Sequence, residues 1–93
     1  MAVTSKNVAM TGAAASLGAA GTFARWVLFV NAAANQMAVA DASVSLTRGA
    51  PLGAGGGSFF LPPMPDGAHH DLGQWYGIGT STQNLTIVYD AML

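Results

Sequence analysis

A chain of 93 residues has room for one hydrophobic core, and with no cysteine it has neither disulfides nor cysteine-ligated zinc to support that core. Only 8% of the residues are charged, against roughly 25% in an ordinary soluble domain, while 52% are hydrophobic. A net charge of −1, from Lys6, Arg25 and Arg48 against Asp41, Asp66, Asp71 and Asp90, leaves no basic footprint for nucleic acid.

Freely diffusing monomers need charge to stay apart, so the scarcity implies a surface covered by partner chains. The competing explanation is that alanine, plentiful here and only weakly hydrophobic, inflates the apolar fraction. No membrane span is expected: the most apolar stretch, residues 23–30, is far short of the roughly 20 residues required, and Arg25 interrupts it.

Taken in chain order, residues 1–22 read as a partly irregular N-terminal arm and residues 23–93 as an all-β, antiparallel sandwich or small barrel. Lys6 and the small residues after it loosely match a secretory signal, but the leucine-rich centre is missing, so export by this segment is not expected. Residues 7–11 have strand character. The alanines of residues 13–20 favour helix, but Gly12, Gly18 and Gly21 cut the run into pieces too short to stand, which leaves a connection with one helical turn at most.

Residues 23–31 are rich in aromatic and branched side chains. Trp26, Leu28 and Val30 alternate with Arg25, Val27 and Phe29, and with both faces apolar this reads as a central strand buried on two sides, with Trp26 in the core. Shorter strands are expected at residues 37–40, 58–61 and 74–78. Val44 and Leu46 alternate with Ser43, Ser45 and Thr47, and Leu85, Ile87 and Tyr89 with Thr86, Val88 and Asp90, each as a half-solvated strand should. Gly49 to Gly57, Pro62 to Gly67 and Gly79 to Asn84 punctuate the strands as turns and loops.

No motif points to catalysis. The glycines of residues 53–57 lack the Lys-Ser/Thr and the helix of a phosphate cradle; Ser58-Phe59-Phe60-Leu61 follows instead, and a hairpin connection is expected. In His69-His70-Asp71 the adjacent histidines point to opposite sides of extended chain, too few ligands for a metal, so a solvated loop or a pH-sensitive contact to a neighbouring chain is expected. No nucleophile motif accompanies either histidine. Four aspartates leave a pair of working carboxylates open, since their proximity is not legible in sequence. Asn84-Leu85-Thr86 matches a glycosylation acceptor, which is without meaning unless the chain is exported. Trp75-Tyr76 suits sugar stacking, or a strand with one ring in the core and the other at an interface.

The order of these signals resembles a known group. A strand ending Arg25-Trp26-Val27-Leu28-Phe29-Val30-Asn31 is followed by a second ending at Arg48, Gly49-Ala50-Pro51-Leu52 with a glycine-rich turn, Asp71-Leu72 before Trp75-Tyr76-Gly77-Ile78-Gly79, and a closing Leu85-Thr86-Ile87-Val88-Tyr89. Over residues 7–90 this is similar to the small β-sandwich accessory proteins of bacteriophage virions, of the capsid decoration (cement) type, from which the chain departs in its alanine-rich residues 13–20 and its near absence of charge.

The resemblance implies a non-enzymatic protein without cofactor or metal. Such a protein is made in the bacterial cytoplasm, sits on the capsid surface and binds the major capsid protein and copies of itself, commonly as a trimer, with no nucleic-acid or membrane partner. The interface candidates are Pro62, Pro63, Met64, His69, His70, Trp75 and Tyr76, with the arm of residues 1–22 supplying grip. A neck, tail or fibre component of the virion, and a free carbohydrate-binding module using Trp75 and Tyr76, are the alternatives.

Overall fold

The computed structural model describes residues 3–19, 21–65 and 67–91. Two antiparallel sheets face each other, and no α-helix forms among these residues. The larger sheet is ordered β1 (Val3–Ala9), β9 (Asn84–Ala91), β3 (Phe23–Asn31) and β6 (Gly57–Leu61), with the short β7 (His70–Asp71) also pairing β3. The smaller is ordered β2 (Ala15–Ser16), β8 (Tyr76–Ile78), β4 (Met37–Ala40) and β5 (Ala50–Leu52). The all-β sandwich expected from the sequence is the observed architecture.

The core lies between the sheets. The larger sheet contributes Val27, Phe29, Leu61, Leu85 and Ile87, and the smaller contributes Met37, Val39 and Leu52. Met10, Leu17 and Leu72 enter from connections. Gly77 and Gly79 make this possible: a Cβ on Gly79 would stand 2.8 Å from Met37 Cγ and 3.0 Å from Met10 Cγ, and one on Gly77 would stand 3.1 Å from Leu17 Cδ2, so these side chains fill the space the glycines leave.

β3 is central, as expected, but covered on one side only. Its pairing with β9 shifts register between Ala24 and Val27, a bulge whose extra residue lets both turn inward although they are three positions apart. Arg25 and Trp26 therefore both lie outward. Trp26 is half-buried and packs against Phe60, with ring centroids 6.0 Å apart, so the expectation that it fills the core is corrected. Phe29 occupies the place Trp26 was expected to take.

The arm is a second correction. Val3–Ala9 pairs with Asn84–Asp90 along its whole length, Val8 packs against the core, and Met10 and Leu17 are buried in it. The boundary at residue 22 therefore cuts through the sandwich. Residues 11–19 form no helical turn; Leu17 N–H donates to Trp75 O at 2.9 Å and so ties this segment to the smaller sheet.

Residues 43–47 do not form the expected strand; only an isolated bridge joins Ser45 and Arg48. The hydroxyls that gave the alternating pattern are turn-formers instead. Ser43 donates through both its N–H and its hydroxyl to Asp41 Oδ1, at 3.0 and 2.7 Å, and Thr47 N–H donates to Ser45 Oγ. Val44 is buried while Leu46 is 50% exposed.

Nor is the glycine run a hairpin. β5 and β6 belong to different sheets, and Gly53 to Gly56 carry the chain between them. Gly55 and Gly56 take φ of 77° and 123°, and their N–H groups donate to Ala33 O at 2.9 Å and Asn31 O at 2.7 Å. Asn31 is a buried polar hub at this end. Its Nδ2 donates to Asn35 O at 2.8 Å and Leu52 O at 3.0 Å, and its Oδ1 accepts from Ala33 N–H at 3.0 Å.

Candidate functional site

Two surfaces of the sandwich carry side chains that folding leaves partly unused. One is an open cleft of about 440 Å³ at a mouth of the interior, lined by Val39, Ala40, Asp41, Ala50, Phe59, Gln74 and Trp75. Its apolar wall continues the core. Trp75 is half-buried, and its ring stands 5.6 Å from Phe29 and 6.2 Å from Phe59, tilted against both. Phe29 and Phe59 are themselves stacked at 6.4 Å.

Two polar groups stand at the rim. Asp41 follows β4 and Gln74 ends the single 3₁₀ turn of Leu72–Gln74, whose N-cap Asp71 accepts Gly73 N–H at 2.9 Å. Hydrogen bonds from the Ser43 hydroxyl and N–H hold the Asp41 carboxyl below its ordinary range, and the charge of Arg48 adds to this. Asp41 is therefore a carboxylate at neutral pH. Both Ser43 bonds land on Oδ1, which leaves Oδ2 to accept from a ligand.

The second surface is the outer face of the larger sheet. Leu28 lies between Phe60 and Val88, and Val30 between Ser58 and Thr86, with Trp26 diagonal to Phe60. Phe60 is 49% exposed; Trp26, Leu28, Val30 and Val88 are half-buried. At one end Arg25 Nε lies 3.8 Å from Asp90 Oδ2, so the charges there balance. The 62–69 loop borders Arg25 at this end, and beyond it the result is an apolar, partly exposed sheet face.

The seven residues singled out by sequence do not form one surface. Pro62, Pro63, Met64 and His69 are exposed, with His69 6.5 Å from the Phe23 ring, and Pro63, Met64 and His69 border a shallow notch with Arg25. Trp75 lines the cleft, while Tyr76 sits on β8 opposite Ser16 and Ala40.

His70 departs from the loop reading. It lies in β7, paired with Ala24, is 8% exposed, and its Nε2 is 2.9 Å from Pro62 O. A carbonyl only accepts, so Nε2 carries the proton and donates, which locks the start of the 62–69 loop to the sheet. The two adjacent histidines thus point apart, and no group of three potential metal ligands occurs among the described residues. Of the aspartates, Asp41 holds a turn, Asp71 caps the 3₁₀ turn and Asp90 is buried beside Arg25. Asp66 lies outside the described residues.

Sequence reasoning missed Asp41 and Gln74 in the cleft and Phe60, Leu28 and Val88 on the outer face. Asp41 carried a signal, because Asp two residues before Ser is a turn-former, and that turn closes on Asp41 Oδ1 beside the cleft. Comparison with known proteins finds no matching family model, no matching curated protein and no matching solved structure.

Proposed function

We propose that the chain is a non-enzymatic structural protein of a phage virion, a decoration protein that reinforces the capsid by binding across neighbouring major capsid protein subunits and copies of itself. The observation that carries the assembly reading is the partly exposed outer face of the larger sheet, where Trp26, Leu28, Val30, Phe60 and Val88 form an apolar surface without net charge. The scarcity of charge along the whole chain supports the same reading. The order of sequence signals supports the kind of assembly. A protein that binds only the assembled shell stabilises that state by its binding free energy, and symmetry repeats the gain at every site.

The test is quantitative mass spectrometry of purified particles, followed by re-addition of the protein to stripped shells. Copy numbers near that of the major capsid protein, with shells that resist heating better after re-addition, are expected. A dozen or fewer copies would assign the chain to a neck or tail instead, and absence from particles would overturn the virion reading.

A further inference from the structure

The cleft between β4, β5, β6 and Trp75 shares no residue with the outer face of the larger sheet, and its chemistry selects a different kind of partner. About 440 Å³ is within the range of small-molecule sites, which run to roughly 300–1,000 Å³. Anions are disfavoured, because Asp41 is a carboxylate and no lysine or arginine lines the cleft. A cation over the Trp75 face beside the Asp41 carboxylate is the competing occupant, and choline tests it below. Phe59 and Trp75, with ring centroids 6.2 Å apart and tilted against each other, form the apolar wall.

The match is a neutral ring with an apolar face for that wall and an edge of hydroxyls for the rim. Asp41 Oδ2 accepts from hydroxyl donors, and the Gln74 amide both donates and accepts. The cleft is also held in shape before any ligand arrives. The Asp41 turn is closed by Ser43 and by Val44 N–H to Asp41 O at 3.0 Å, and Trp75 is fixed through its N–H to Leu72 O and its O from Leu17 N–H. From this we infer that the cleft is a saccharide-binding site, in which a sugar ring stacks on Trp75 and hydrogen-bonds to Asp41 and Gln74. Tyr76, adjacent in sequence, takes no part.

The full chain carrying Trp26→Phe leaves Trp75 as its single tryptophan, so its fluorescence reports on the cleft alone. Titration runs over a panel of hexoses, N-acetylhexosamines and their short oligomers, with choline and adenosine as cationic and flat aromatic controls. At least one sugar should saturate the signal with a dissociation constant on the order of 1 mM or tighter. Asp41→Asn keeps Oδ1 for Ser43 but loses the charge, and should weaken binding about tenfold. Gln74→Ala, on an exposed residue, should weaken it by a smaller factor, and circular dichroism confirms that both variants fold. Since the Asp41 carboxyl ionises below the usual range, affinity should hold constant from neutral into mildly acid pH, wherever an ordinary aspartate stays ionised. The inference is overturned if no sugar saturates the signal, if choline or adenosine binds in place of sugars, or if both variants bind as the parent does. Particle incorporation is measured separately, and on the proposed outer-face contact it should be unchanged in both variants.

Discussion

On the inner face of β3, Val27 and Phe29 are sealed from solvent and Asn31 spends its whole amide on backbone groups. On the outer face Trp26, Leu28 and Val30, no less apolar, remain half-buried. The difference lies in what is laid over each face: the smaller sheet covers one, while on the other Phe60 stays 49% exposed. Apolar area left in water retains roughly 25 cal/mol per Å² of unrealised stabilisation, which a partner surface can recover. Under the proposed assembly reading, one strand serves folding through one side and association through the other. The experiments below test whether the two sides can be damaged separately.

The largest effect should come from removing β1, which closes the edge of both faces. Deleting residues 1–12 takes away the whole ladder against Asn84–Asp90, the packing of Val8, and Met10 from the core. Loss of cooperative thermal unfolding, followed by circular dichroism, is the expected result. A truncated chain that still melts cooperatively would show that these residues are an appendage after all.

Next come paired aromatic deletions on the two faces. Phe29→Ala should cost about 3–5 kcal/mol, the usual range for a fully buried ring. Trp26→Ala, though it removes a larger side chain, should cost only about 1–2 kcal/mol, because the ring is already partly exposed and what it loses is mainly its contact with Phe60. Urea unfolding of both variants measures the gap; equal costs would mean that the outer face is part of the folding core. Asn31→Ala should fall between them at about 1–3 kcal/mol, from leaving Leu52 O, Asn35 O and Ala33 N–H unsatisfied.

The strands that bury one face were legible in the sequence. Residues 37–40 and the alternation of Leu85, Ile87 and Tyr89 belong to strands whose own side chains are selected by the core. β1 was not legible before residue 7. It is an edge strand whose Thr4, Ser5, Lys6 and Asn7 carry little hydrophobic pattern, and β9 supplies the backbone partners that hold it. Residues 43–47 gave the opposite error: alternating hydroxyls look like a half-solvated strand but bond to the local backbone and to Asp41 instead.

Parity alone misplaced Trp26, because the extra residue at the bulge resets which positions face in. The cleft was hidden for a different reason. Adjacency suggested Trp75 with Tyr76, whereas Trp75 lines the cleft just ahead of β8, and its companions there, Phe59 on β6 and Asp41 after β4, come from distant parts of the chain.

The smallest effect on folding should accompany the largest effect on association, and Phe60 is where the two come apart. It sits on β6, the edge of the larger sheet beside β3, opposite Leu28 and against Trp26, and is 49% exposed. Phe60→Ser removes a ring that contacts the fold mainly through one aromatic neighbour, so the stability lost should be about 1 kcal/mol or less. In an interface the same ring would be an aromatic anchor flanked by Leu28 and Trp26, and truncating an anchor typically costs about 2 kcal/mol or more of binding. Sedimentation of the isolated protein should therefore show weaker self-association for Phe60→Ser than for the parent, and shells should take up less of it, at unchanged circular dichroism. Surface substitution on the smaller sheet, at Tyr76→Ser, is the matched control and should leave both readouts in place. If Phe60→Ser associates and incorporates as the parent does, the outer face is not the contact surface. If it unfolds the protein, the two sides of β3 are not separable.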